Sequence, residues 1–312
     1  MRPPTRPPHA PARAITRGYC VPFDSMDGTV AWTTSTAVYI GDPRTAMVVL
    51  RDARSFVAGT HSPTSVVVDG IDLRAWRLGT SCSIRAGELS ASGTTIDLRD
   101  AAVWEPPAPV DPTTITGLDR AARVIRYVAG ERLDEVEDRI GPRMRALVAA
   151  VADANGHAVD TSLRSLVGFG PGLTPSGDDA LVGVLCALGR AGEADLATAL
   201  REPMRALLHR TTPVSIHSLR LALDGHVAEA TVAVVDAALG ARTAAARSGH
   251  AARSGDARVH RNVETLLGVG ATTGADTLVG VLAGLATVAF ARTARRPPGA
   301  ATAVLAAARA AR

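Results

Sequence analysis

A glycine-rich loop followed by an apolar helix occurs twice in this chain, and that repetition restricts the fold more than any other feature. The first copy reads GFGPGLTPSGDDALVGVL over residues 168–185, and the second reads GVGATTGADTLVGVL over residues 268–282. With three residues removed from the first copy the two align. Ser176-Gly177-Asp178-Asp179 then lies over Thr273-Gly274-Ala275-Asp276, and Leu-Val-Gly-Val-Leu follows in both. Two such copies about 100 residues apart predict two pseudo-equivalent helical halves, each opened by a glycine turn. If a pseudo-twofold axis relates the halves, both loops face one cleft.

The helices must pack without much help from large rings. Aromatic residues make up only 3% of the 312, against 46% hydrophobic, so the core is built mainly from Ala, Val and Leu. The length allows one large domain or two ordinary ones. The formal net charge is +4, and several arginines fall in the two termini, which leaves a nearly neutral body. There is no basic stripe interleaved with aromatics, which argues against a nucleic-acid partner. The chain contains no lysine, so an anion can be held only by arginine, histidine or backbone N–H. Cys20, Cys82 and Cys186 are widely spaced and form no CxxC pair, which fits a reducing compartment. Cys186 falls in an apolar helical run, and Cys82 in a strand region with no histidine nearby in sequence.

The basic, proline-rich start, residues 1–14, reads as a disordered leader, since no apolar segment of a signal peptide follows. The longest apolar stretch, 277–291, is short for a bilayer span. The expectation is a cytoplasmic protein with no membrane contact.

The fold class expected is α+β. Residues 15–112 read as a small β-rich domain, a barrel or sandwich, with short strands at 29–33, 37–40, 46–50, 65–68, 83–85 and 94–98. After the proline-rich stretch 106–112 the pattern turns helical. Residues 113–294 form the larger, mostly α-helical domain with its internal repeat, and 295–312 an Ala/Arg-rich tail. Helices are expected at 118–129, 133–152 with a break at Gly141-Pro142, 178–188, 193–209, 214–223, 227–246, 259–267 and 275–292.

Two readings of the doubled loop stand side by side. Gly168, Gly170 and Gly172 alternate, Pro171 and Pro175 stiffen the turn, and a helix begins near Ser176. The unpaired amides of such a helix start suit a phosphate or carboxylate, with Thr174 and Ser176 adding hydroxyls. The other reading is a capping box in each copy, Ser176 with Asp179 and Thr273 with Asp276. Asp178 is not required by the box and faces Ala275 in the second copy. An Asp178-Asp179 pair in the first turn, joined by Asp276 across the cleft, can hold Mg²⁺, or can simply favour the helix dipole.

Outside the loops, Thr212 is placed to cap a helix with Pro213 at its first position. His217 follows as an acid–base candidate or as a half-buried helix histidine. In the β region, His61 and Ser62 in HSPTS precede an apolar strand, and they either line a binding edge or form an ordinary turn. Arg51 and Arg54 near a strand end can neutralise an acidic ligand.

The 168–179 stretch together with TTGADTLVG at 272–280 resembles the AllH family, whose named members are linked to oxamate carbamoyltransferase, and the likeness extends over roughly 15–292. The resemblance implies interconversion of oxalurate and phosphate with oxamate and carbamoyl phosphate, by an enzyme that needs several subunits. It carries over onto Gly168, Gly170, Gly172, Thr174, Pro175, Ser176, Gly177, Asp178 and Asp179. The family's later motif, G-H-T-S-G-x-D, matches Thr273, Gly274 and Asp276 here, while Ala271 stands where relatives have histidine. The functional expectation is therefore a carbamoyltransferase subunit or homologue. It would bind a small anionic substrate or phosphate at Gly170, Gly172, Thr174, Ser176, Gly177, Thr273 and Gly274, with Asp178, Asp179 and His217 catalytic. The alternative is a non-catalytic ligand-binding or assembly subunit of a larger complex.

Overall fold

The computed structural model describes residues 12–91, 93–240 and 249–294. The chain divides into two compact units, Met1–Pro107 and Ala108–Arg312. The expected leader before residue 12 and the tail from 295 lie outside the described residues, as does the part of the 227–246 helix from 241 onward.

The first unit is a β-barrel. Its strands are β1 Ala12–Gly18, β2 Ser25–Thr33, β3 Ala37–Asp42, β4 Ala46–Asp52, β5 Ser65–Val68, β6 Ser81–Arg85, β7 Glu88–Ala91, β8 Thr94–Asp97 and β9 Ala102–Trp104. The hydrogen-bonded order runs β5-β4-β3-β2-β6-β7-β8-β1, and β1 pairs back onto β5 to close an eight-stranded ring. Closure leaves no open edge along the ring, which is how short strands avoid exposing unpaired amides. β9 lies parallel to β1 beyond the point where β1 leaves β8. Alternation fills the interior: Val38, Ile40, Leu50, Val66, Val68, Ile84, Leu89 and Ile96 have no exposed surface. Each such side chain contributes about 1.5–3 kcal/mol on burial. β1 begins at Ala12, inside the stretch read as leader. β1, β7 and β9 were not legible in the sequence: β1 starts inside the stretch read as leader, and β7 (ELSA) and β9 (AVW) lack the β-branched runs that mark the equally short β5 (SVVV) and β8 (TTID).

The second unit is helical: α1 Leu118–Ala152, α2 Gly156–Leu166, α3 Ser176–Arg190, α4 Ala194–Leu207, α5 Pro213–Leu223, α6 Glu229–Leu239, α7 Gly249–Leu267 and α8 Thr273–Ala294. The break expected at Gly141-Pro142 is absent. The kink in α1 is at Gly130, whose φ of 49° and ψ of −138° only glycine adopts readily. Pro142 loses one helix bond, at about 3 kcal/mol in an exposed helix. Here Ile140, Gly141, Met144 and Leu147 bury the same face and hold the helix straight through it.

α8 is 22 residues long, longer than the apolar stretch read from sequence, and by length and composition alone it could cross a membrane. In the structure its residues from Gly274 to Val288 are mostly buried, and it packs beside α3 and α1 in the helical core. α3 and α8 lie side by side because glycines let their backbones meet. A Cβ on Gly183 would sit 2.3 Å from the Thr277 carbonyl oxygen, and one on Gly280 would sit 1.8 Å from that of Ala180. Gly183 and Gly280 are equivalent in the repeat, and so are Ala180 and Thr277, so the contact is pseudo-symmetric.

Candidate functional site

The two loops have nearly the same backbone. Phe169 N–H donates to the Leu166 carbonyl and Gly177 N–H to the Phe169 carbonyl, both at 2.9 Å. In the second copy Val269 N–H donates to Leu266 at 2.9 Å and Gly274 N–H to Val269 at 3.1 Å. Gly177 and Gly274 are obligatory for the same reason: an added Cβ would lie 2.1 Å from the Leu166 oxygen and 2.0 Å from the Leu266 oxygen. The loops touch at their tips, where the Thr174 and Thr273 hydroxyls are 3.1 Å apart.

Neither copy forms a capping box. α3 begins at Ser176 with Pro175 as its cap residue and no side-chain capping bond. The Asp179 amide donates to the Pro175 carbonyl at 3.2 Å, and the Asp276 amide to the Thr272 carbonyl at 2.9 Å. The hydroxyls are thereby released to face the other copy. The Ser176 hydroxyl is directed to Asp276, and the Thr273 hydroxyl, with that of Thr174, to Asp179. Each carboxylate thus meets one hydroxyl of its own copy, Thr174 for Asp179 and Thr272 for Asp276, and one from the opposite copy.

Both are deeply buried, Asp179 at 6% and Asp276 at 0% exposure, and among the described residues one oxygen of each (Oδ2) has no hydrogen-bond partner. Burial raises the Asp179 carboxyl well above its ordinary range. The Thr174 and Thr273 hydroxyls oppose that rise, while Asp276 and Asp178 add to it by like charge. Burial also raises Asp276, against the Thr272 and Ser176 hydroxyls and the Arg139 guanidinium, whose Nη2 donates to Asp276 Oδ1 at 3.2 Å.

Asp178 points elsewhere. Its Oδ1 accepts from the Gly168 amide at 2.8 Å, and its Oδ2 accepts from the Thr211 hydroxyl. It ties the start of the first loop to the segment ahead of α5. Burial raises its carboxyl, opposed by hydrogen bonds from Thr211, Gly168 and Ser215. Among the described residues no group of three His, Cys, Asp or Glu side chains is arranged to hold a metal, so Asp178, Asp179 and Asp276 do not gather as the triad envisaged for Mg²⁺.

Thr212 caps α5, with its Oγ1 accepting from the Ser215 amide at 3.2 Å and donating to the Leu173 carbonyl at 2.5 Å. The first loop is thus clamped to the α5 start by Thr212 and to Thr211 through Asp178. His217 sits on this helix's buried side. Burial, with some help from Arg220, lowers its pKa to about 4, so its imidazole is neutral near pH 7.

The loop backbone keeps donors in reserve. Gly168, Gly170 and Gly172 have φ of 75°, 113° and 102°, conformations that turn successive amides outward. Among the described residues, the amides of Gly170, Gly172, Leu173 and Thr174 make no hydrogen bond within the chain. The helix-start amides themselves are less available than expected, since those of Gly177, Asp178 and Asp179 are already bonded internally.

The sequence reading missed the arginines of α1. Arg132, Arg139 and Arg143 recur at a spacing that keeps them on one face. Arg132 Nη2 donates to the Ala271 carbonyl at 3.4 Å, and Arg143 lies 3.7 Å over the Phe169 ring. Their seven- and four-residue spacing was the available signal, but nothing local connects α1 to loops that follow it by tens of residues.

His61 and Ser62 belong to the barrel unit. His61 Nε2 is 3.0 Å from Thr16 Oγ1, and the buried Ser62 hydroxyl has no partner among the described residues. Burial pushes the Cys82 thiol to about 11 and the Cys186 thiol to about 12, so neither supplies a thiolate near neutrality.

No solved structure matches the chain. A family model described as oxamate carbamoyltransferase subunit AllH matches residues 166–285, a narrower span than the likeness read from sequence and one that leaves out the barrel. That span contains both glycine loops and the helices they open, and over it the chain is similar to the AllH family.

Proposed function

We propose that this chain is a carbamoyltransferase subunit that binds a small acid or phosphate-bearing substrate over the joined glycine loops. The observation that carries this reading is the set of unbonded amides at Gly170, Gly172, Leu173 and Thr174, on a loop whose Phe169 is covered by Arg143 and whose partner loop is met by Arg139 at Asp276. Carbamoyl transfer between phosphate and nitrogen develops negative charge on oxygen, and preorganised N–H groups and guanidinium groups stabilise such charge without moving. Ureido acids, phosphate and carbamoyl phosphate all present that anionic oxygen.

In this reading the acids divide their roles. Asp178, with both oxygens bonded inside the protein, positions the loop. Asp179, whose burial favours the protonated carboxyl, is the group suited to give a proton to the departing nitrogen and to recover it. His217 lines the α5 side as a neutral imidazole.

The test is calorimetry of the purified chain with carbamoyl phosphate and with inorganic phosphate. Phosphate release is followed separately when carbamoyl phosphate and oxamate are supplied. Saturable binding that Arg139→Ala weakens supports the site. Binding without turnover favours the non-catalytic, ligand-holding subunit. Absence of binding by either compound at millimolar concentration overturns the reading.

A further inference from the structure

The barrel carries an arginine, Arg51, that has no ion pair among the described residues. Register places Thr16 of β1, Val67 of β5 and Arg51 of β4 in one row across three adjacent strands. Their neighbours Ala14, Val66, Val68 and Leu50 fill the barrel interior, so the row faces outward. Over it runs the segment between β4 and β5. Arg51 Nη1 donates to the Thr60 carbonyl and hydroxyl, both at 3.3 Å, and its guanidinium lies 5.0 Å from the Phe56 ring centre.

Three more rings continue from there. His61 meets Phe56 edge-on at 4.6 Å and stacks parallel to Trp104 at 6.0 Å, and Trp104 in turn lies 5.9 Å from Tyr19. In a chain so poor in aromatics this is a notable concentration on one patch.

Arg51 has no ion pair among the described residues, and its Nε and Nη2 have no protein acceptor there. The adjacent Asp52 is taken by Arg54 at 3.2 Å. Burial lowers the Arg51 pKa, which shows that its charge is held partly out of water. A half-buried cation without a counter-charge is unfavourable unless a ligand supplies one. The unused edge of a guanidinium is a planar two-point donor that fits a carboxylate, and flat rings beside it suit a flat ligand body.

We propose that this outer face of the barrel is a second ligand site, where Arg51 holds the carboxylate of a small planar acid whose body lies against Phe56, His61 and Trp104. It stands independently of the glycine-loop site.

The experiment uses the full chain and benzoate as the planar probe, with cyclohexanecarboxylate and inorganic phosphate as comparators. Binding is read by tryptophan fluorescence and by amide and indole shifts in two-dimensional NMR. The expected result is saturable binding of benzoate, shifts centred on Thr16, Thr60, His61 and the Trp104 indole, and at least tenfold weaker affinity in Arg51→Gln. Arg51→Lys, which keeps the charge but not the fork, is expected to fall between. Should Arg51→Gln fail to fold, the shift map of the unaltered protein and the Lys variant decide. The proposal is overturned if benzoate does not saturate, if its shifts fall on the 168–174 loop instead, if Arg51 variants bind as the original does, or if either comparator binds as tightly.

Discussion

Gly183 and Gly280 hold equivalent places in the two repeats, and each sets its bare Cα against the backbone of the other's helix. A Cβ on Gly280 would lie 1.8 Å from the Ala180 carbonyl oxygen, and one on Gly183 would lie 2.3 Å from that of Thr277. Backbone cannot yield as a flexible side chain can. Gly280→Ala is therefore expected to destabilise by at least about 1–3 kcal/mol through forced separation of α3 and α8. Gly189→Ala, in the same helix as Gly183 with open space around it, is expected to be neutral or to stabilise by up to about 1 kcal/mol through helix propensity. Urea unfolding of the two variants checks the contrast, and equal midpoints would count against the close-packed crossing.

Asp178 is a fastening between the first loop and the α5 start, not an open ligand. Asp178→Asn places an amide nitrogen where an oxygen accepts from Gly168 or Thr211. The expected loss is about 1–3 kcal/mol for a buried donor left unmet. Weaker affinity for carbamoyl phosphate should accompany it as the loop loosens. Denaturation and calorimetry on the same preparation measure both, and an unchanged unfolding midpoint would remove the structural role.

His217 and Asp179 give opposite pH dependences. The His217 pKa falls to about 4 in the folded state, below the ordinary value. The unfolded chain then binds the proton more tightly, so this contribution to stability is complete above about pH 6.5 and is lost as pH falls toward 4. It amounts to at most about 3 kcal/mol, since each tenfold difference in proton affinity between the two states is worth about 1.4 kcal/mol. His217→Gln should flatten that part of the profile, and a variant as acid-sensitive as the original would contradict it.

Asp179 is raised in the folded state, so the folded protein binds its proton more tightly than the unfolded chain. Its contribution is present below the unfolded carboxylate value of about 4 and is lost as pH rises through the folded value. Asp179→Asn is expected to gain on the original protein between pH 4 and pH 8, whatever their difference at pH 4. Urea titrations at several pH values test this, and a gap that stays constant with pH would show that Asp179 is not raised.

Arg139 and Asp276 form an ion pair with one exposed and one buried member, at 41% and 0% side-chain exposure. Solvent reaches the arginine and screens the pair, so Arg139→Ala is expected to cost only about 1 kcal/mol. In an Asp276→Asn background the same change should cost almost nothing. A double-mutant cycle by urea unfolding reads the coupling directly, and additive effects would show that the pair does not interact.

The sequence by itself determined the local elements. The doubled loop, the Thr212–Pro213 helix start, the short alternating strands and the change to helix near residue 112 follow from turn chemistry and periodicity within a few residues. The gap read between helices 118–129 and 133–152 does hold the kink of α1 at Gly130, but the second break read at Gly141-Pro142 is absent, and only the buried face around Ile140 and Met144 shows the helix held straight through Pro142. The tertiary structure decided which partners the loop side chains take. Ser176-x-x-Asp179 and Thr273-x-x-Asp276 have the spacing of a capping box, yet backbone carbonyls of Pro175 and Thr272 take the amides, and each buried carboxylate meets one hydroxyl of its own copy and one from the opposite copy. The α1 arginines likewise reach the loops across more than a hundred residues of chain in the second copy. Spacing fixes what can meet within one turn of helix. Glycine-permitted contact between α3 and α8 fixes what meets across the repeat, and that contact exists only once the helices are packed.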